Sequence, residues 1–138
     1  MDERIVELTV AAEKDMMLVV RMTTSGVLSR TGLTLDDLDD MKMAVDEACS
    51  CLMSQPSKFG RLSLRYVCGS GQTSICITGC NASVEACGCP AEDDGQNDDI
   101  LRCILESMAD RVVIKRFDGG ISAIELQKNC VKTVGAAL

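Results

Sequence analysis

The residues able to do chemistry in this 138-residue chain fall into three groups. Glu47 and Cys51 stand four apart in the stretch DEACSCLM. Four residues make about one helical turn, so the carboxylate and the thiol would share one face. Cys80, Cys87 and Cys89 lie on a stretch crowded with Gly, Pro, Asp, Asn and Glu, where grouped thiolates bind zinc or respond to oxidants. Their C-x6-C-x-C spacing lacks the paired C-x-x-C knuckles of zinc modules, and the chain has no His, so no metal site is assigned. The third group is acidic, Asp36 to Asp40 and Glu92 to Asp99, and reads as solvated surface.

These groups must be held by elements, and the apolar spacing supplies them. Arg4 to Val10 reads as a strand with Leu8 and Val10 on one face. Met17, Val20, Thr24, Val27 and Leu28 repeat as a helical face within Glu13 to Thr31, and Gly32 stands where a left-handed residue would end that helix. Thr34 is an N-cap for a second helix whose first turns carry Asp36, Asp37, Asp39 and Asp40, the charge that a helix N-terminus favours. Its stripe runs Leu35, Leu38, Met41, Val45, Ala48, Leu52, and Pro56 marks an end. This second helix carries Glu47 and Cys51.

Beyond it, RLSLRYVC, GSGQ and TSICIT read as strand, turn and strand. Gly79 to Asn97 has no period and reads as a long loop. Asp98 or Asp99 caps a third helix through Ala109, with Ile100, Leu101, Ile104, Leu105 and Met108 inward. RVVIKRF, Asp118-Gly119-Gly120 and ISAIELQK read as a closing hairpin. Hairpin-connected strands require a largely antiparallel sheet, so the expected class is an α+β two-layer sandwich: about five strands, with three helices on one face. A single domain over residues 1–130 and a flexible tail over 131–138 are expected.

Composition narrows the function classes. Aromatics make up only 2% of the chain, so the core must be built from aliphatic, Met and Cys side chains. A formal charge of -7 argues against an electrostatic grip on nucleic acid or on an anionic membrane. MDERIVELTV has neither the basic flank nor the apolar core of a signal peptide, and no apolar run approaches the roughly 20 residues that span a bilayer. A cytoplasmic protein is expected. Of the nine cysteines, Cys49, Cys51, Cys68, Cys76 and Cys103 fall inside expected helices or strands as small hydrophobes, which argues against a disulfide scaffold.

The element order, with RMTTSGVLSRTGLTLDDLDDMKMAVDEAC across the first two helices, resembles the anti-sigma-factor serine kinases of bacteria. The resemblance implies the ATP-binding sandwich shared with histidine kinases, gyrase-type topoisomerases and heat-shock chaperone ATPases. It places Glu47 at the family's general-base position and Cys51 where the family has an Asn that holds Mg²⁺. A neutral thiol is a poor ligand for so hard a cation. In ITGCNAS, Gly79 falls near the family's adenine-binding Asp and Asn81 near the Gly that follows it. DGQNDDILRC, with Gly95 as its only glycine, replaces the Gly-rich phosphate loop, and Asp93, Asp94, Asp98 and Asp99 would repel a triphosphate. Arg21 matches an arginine that the family uses to contact its protein partners.

The expectation is therefore an anti-sigma-like regulator that works by protein–protein binding, with nucleotide binding weakened or lost and no cofactor required. Its partners would be a sigma factor, a small antagonist-type protein, or both, and the family's habit implies a homodimer. One alternative is an active ATP- and Mg-dependent serine protein kinase with Asp46 and Asn81 as substitute groups. The other is a cysteine-based redox or zinc sensor.

Overall fold

The structure, a computed structural model, describes residues 3–55, 58–81, 99–117 and 120–130. Five strands form one antiparallel sheet: β1 (Arg4–Ala11), β2 (Arg61–Gly69), β3 (Gln72–Cys80), β4 (Arg111–Phe117) and β5 (Gly120–Asn129). Their spatial order is β1-β2-β3-β5-β4. The three α-helices are α1 (Met17–Leu28), α2 (Leu35–Met53) and α3 (Asp99–Glu106). This is the α+β sandwich that the alternating strands require, and it is consistent with a histidine kinase-like ATPase fold.

The strand register explains why the helices share one side. Leu64 of β2 stands opposite Leu8 and Ile77, Ile77 opposite Ile124, and Ile124 opposite Ile114. Because side chains alternate along a strand, this row and those two residues away form a single aliphatic face. Val10, Leu62, Tyr66, Ile75, Leu126 and Val112 extend it, and all belong to one core cluster with the helices. α1 lies over β1, α2 over β3 and β5, and α3 over β4. Cys76, Cys80, Val113 and Ala123 are buried on the opposite face of the sheet, outside that cluster.

α2 is the central element. The Thr34 hydroxyl accepts from Asp37 N at 3.1 Å, as expected of an N-cap, and Asp36 and Asp37 occupy the first turn. Met41, Ala44, Val45, Ala48, Cys49 and Leu52 are buried. Fully burying each large aliphatic contributes about 1.5–3 kcal/mol, so a charged residue at Leu52 would remove the packing that seats this helix on the sheet. Leu35, expected on the buried stripe, is 80% exposed instead. It is the first helical residue and projects beyond the sheet.

Other expectations need adjustment. α1 is shorter than Glu13 to Thr31 and is preceded by a 3-10 turn at Lys14–Met16. It does not end on a left-handed Gly32; among the described residues only Gly71 (φ 85) and Lys58 (φ 50) have positive φ. The side chains after Leu28 close the end instead, with Thr31 Oγ1 donating to Leu28 O at 2.7 Å. α3 stops at Glu106, and its Ile100 is 78% exposed rather than inward. Gly79 and Cys80 belong to β3 rather than to a loop. Asn81 is an isolated bridge, and residues 82–97 of the expected loop, the acidic capping residue Asp98, the Asp118-Gly119 turn and the tail lie outside the described residues. No helix among the described residues is long and apolar enough to cross a membrane.

Candidate functional site

α1 and α2 cross with a groove between them, open to solvent and about 440 Å³ in volume. Arg21 from α1 and Glu47 from α2, read separately in the sequence, line it together. Asp46 and Lys14 bring a second carboxylate and a second cation, and Met17, Met43 and Met53 supply apolar surface. Arg21 Nε donates to both oxygens of Asp46, at 3.2 Å to Oδ1 and 3.0 Å to Oδ2. Met43 is 60% exposed, and Leu18 and Met22 flank Arg21 on α1 with similar exposure.

Cys51 lies one turn beyond Glu47 on α2 and is half-buried against the core. Gln55 Nε2 donates to Cys51 O at 3.0 Å and lies 3.6 Å from the thiol sulfur. Gln55 Oε1 accepts from the backbone N–H of Ile121 at 2.8 Å, fastening the end of α2 to the start of β5. Burial pushes the Cys51 thiol above its ordinary pKa, and the Glu47 carboxylate adds to that rise; the Gln55 hydrogen bond and the charge of Arg116 act against it. A thiol kept protonated in this way is a weak donor to any divalent cation.

Gly79 and Asn81 sit at the far end of β3. Gly79 is buried, and a Cβ built there would fall within the ring of Phe59. The backbone fixes that ring: Gly60 N donates to Cys80 O at 2.9 Å, and Ala12 N donates to Gly60 O at 3.0 Å. These bonds carry the sheet ladder one residue past β2 and leave Phe59 packed against the core. Lys58, just before it, takes a left-handed conformation that bulky residues adopt only at a turn. Asn81 makes an isolated bridge and is half-buried.

Arg21 and Glu47 therefore line one groove, whereas Cys51 packs against the core one turn further along α2 and Gly79 lies at the end of β3 under the Phe59 ring. Sequence reasoning missed Phe59, Gln55 and the Arg21–Asp46 pair. Phe59 carried a signal, being one of only two phenylalanines in the chain. Gln55, beside Pro56, has no spacing in the sequence that singles it out. Cys87 and Cys89 lie outside the described residues, and among those described no group of three or more metal-ligating side chains converges.

No family model matches the chain. A serine-protein kinase RsbW of Halalkalibacterium halodurans is 49% identical over 74 residues, which make up 53% of this chain and 46% of the relative. The RsbW of Bacillus velezensis is 49% identical over 45 residues, 33% of this chain and 28% of the relative. That of Bacillus subtilis is 38% identical over 64 residues, 44% of this chain and 40% of the relative. These similarities support the anti-sigma-factor serine kinase family for this chain. Each match spans less than half the length of the relative.

Proposed function

We propose that this chain is a regulator of the anti-sigma type that acts by binding other proteins through the α1–α2 groove, with nucleotide binding weakened or lost. The observation that carries the reading is the Phe59 ring against Gly79. The position nearest the family's adenine acceptor has no side chain, and the space that one would need is filled from within the fold. Gln55 adds to this, because the Ile121 N–H, a backbone donor at the start of β5, is already used. The groove keeps what a protein contact needs: a guanidinium with directional donors and an exposed methionine, Met43, that adapts to the surface opposite. RsbW-family proteins bind sigma factors and antagonist-type proteins, and partners of both kinds are proposed for this chain, together with a homodimer. A soluble, cytoplasmic setting is part of the same proposal.

Calorimetric titration of the folded protein with ATP and ADP, each with and without Mg²⁺, tests the nucleotide half. The expected result is no detectable heat. Binding at micromolar strength would refute that half. Capture from the source cell tests the partner half, and recovery of neither a sigma factor nor an antagonist-type protein would count against it.

One observation favours a second reading, that of an active serine protein kinase. Glu47 borders the same groove as Arg21, where a protein substrate bound by Arg21 would bring a hydroxyl near a carboxylate. The relatives are themselves named serine-protein kinases. Radiolabel transfer from ATP to an antagonist-type protein, abolished by Glu47→Ala, would establish this reading in place of the first.

A further inference from the structure

The ion pair at the centre of the groove is built to be exchanged. Arg21 reaches across from α1 to Asp46 of α2, 25 residues later, and both of its contacts come from Nε alone. The two side chains are 54% and 38% exposed. An exposed pair of this kind is screened by water and salt and holds its partners weakly, so either charge can leave for a competing group at little cost. A buried pair would instead lock the helices together.

The surroundings indicate what a competing group would look like. Met43, 60% exposed, and the half-buried Met53 line the groove with unbranched, polarizable side chains that refit around varied apolar shapes. Leu18 and Met22 extend the apolar surface on either side of Arg21. With a net charge of -7, the molecule repels acidic partners at long range, so any attraction for a carboxylate must come from local cations such as Arg21.

We infer that Asp46 is an internal competitor for Arg21, so that a protein partner docks in the α1–α2 groove by offering a carboxylate that displaces Asp46 beside an apolar side chain that fits among the methionines. The inference rests on reading the groove as a partner-binding surface. Displaced Asp46 returns to water, where its charge is fully solvated, and the guanidinium exchanges one carboxylate for another. Asp46 thereby filters partners: a purely apolar segment cannot release it.

The test uses sigma factors and antagonist-type proteins of the source cell, purified and presented one at a time to wild type, Asp46→Asn, Arg21→Ala and the double variant. Circular dichroism confirms that each variant is folded. Asp46→Asn is expected to bind its partner roughly two- to fivefold more tightly, the range that weak exposed pairs allow. Arg21→Ala should bind more weakly, and the double variant should match Arg21→Ala, because the gain exists only while Arg21 is there to be freed. Equal affinity of wild type and Asp46→Asn, with Arg21→Ala weakened, would overturn the competitor role and leave the groove reading intact. Binding unaffected by Arg21→Ala and by Met43→Glu would overturn both, as would no binding by either wild type or Asp46→Asn. A partner-free measurement stands beside these: the Arg21 Nε–H should exchange with water faster in Asp46→Asn than in wild type by NMR, and identical exchange would also overturn the inference.

Discussion

Phe59 packs so closely on Gly79 that β3 has no room for a side chain at that position. The two residues are 20 apart in sequence and meet because the β2–β3 register sets Leu62 opposite Gly79, with Phe59 entering just ahead of the strand. Gly79→Asp, which would reintroduce a carboxylate here, should destabilise the protein by about 2 kcal/mol or more, the cost of overpacking together with a buried charge. In denaturant unfolding, the Phe59→Ala, Gly79→Asp double variant should lose less than the sum of the two single changes. If the two losses simply add, the residues do not compete for one space.

Gln55→Ala removes the side chain that joins α2 to β5. The Ile121 N–H loses its acceptor and Cys51 O loses a donor, so a loss of about 1–2 kcal/mol is expected. Hydrogen exchange should locate the change, with the Ile121 amide losing protection ahead of the neighbouring β5 amides. Uniform loss across the sheet would mean that the bond acts on global stability alone.

Most of the fold could be read from local pattern. The Thr34 cap and the stripe from Met41 to Leu52 define α2 because burial on one side of a helix leaves a period that sequence displays directly. Strand alternation likewise gave the aliphatic face of the sheet. Leu35 and Ile100 misled because apolar residues in the first turn of a helix satisfy the period while projecting past the surface it covers. The site was legible only in part. Glu47 and Cys51 are related by helical spacing alone, but Arg21 meets Asp46 only through the crossing of two helices, and Phe59 meets Gly79 only through strand register. Neither relation leaves a period along the chain.

Lys128 joins three elements from a nearly buried position. Its Nζ donates to Met108 O at 3.1 Å and lies 3.5 Å from Asp37 of α2 and 3.9 Å from Asp110 before β4. Lys128→Ala leaves a carbonyl and two partly covered carboxylates without this cation, and about 1–3 kcal/mol should be lost. Lys128→Met keeps the stem packing, so it should lose less, and its remaining loss should shrink as salt screens the two carboxylates. Equal losses for the two variants would assign the whole effect to the ammonium group and none to the aliphatic stem.

Alkaline pH should unfold this protein through two buried groups. Burial raises the Cys49 thiol from 9.0 to about 12, helped by the Asp46 charge. Burial also raises the Tyr66 phenol from 10.0 to about 12, with the Cys49 charge acting in the same direction and the Thr24 hydrogen bond against it. Each group holds its proton more tightly folded than unfolded, so the stability it contributes is complete below the unfolded pKa and is lost as pH rises through the folded one. The window therefore runs from about pH 9 to 12 for Cys49 and from about pH 10 to 12 for Tyr66. Thr24 Oγ1 donates to Val20 O at 2.8 Å and shares a 2.8 Å hydrogen bond with the Tyr66 hydroxyl. Tyr66→Phe should thus cost about 1 kcal/mol at neutral pH through that lost bond while flattening the decline above pH 10. Cys49→Ala should flatten the earlier part of the decline. Denaturant midpoints measured from pH 7 to 11 separate the two contributions, and a wild-type stability that held constant to pH 11 would show that neither group is buried as tightly as the structure places it.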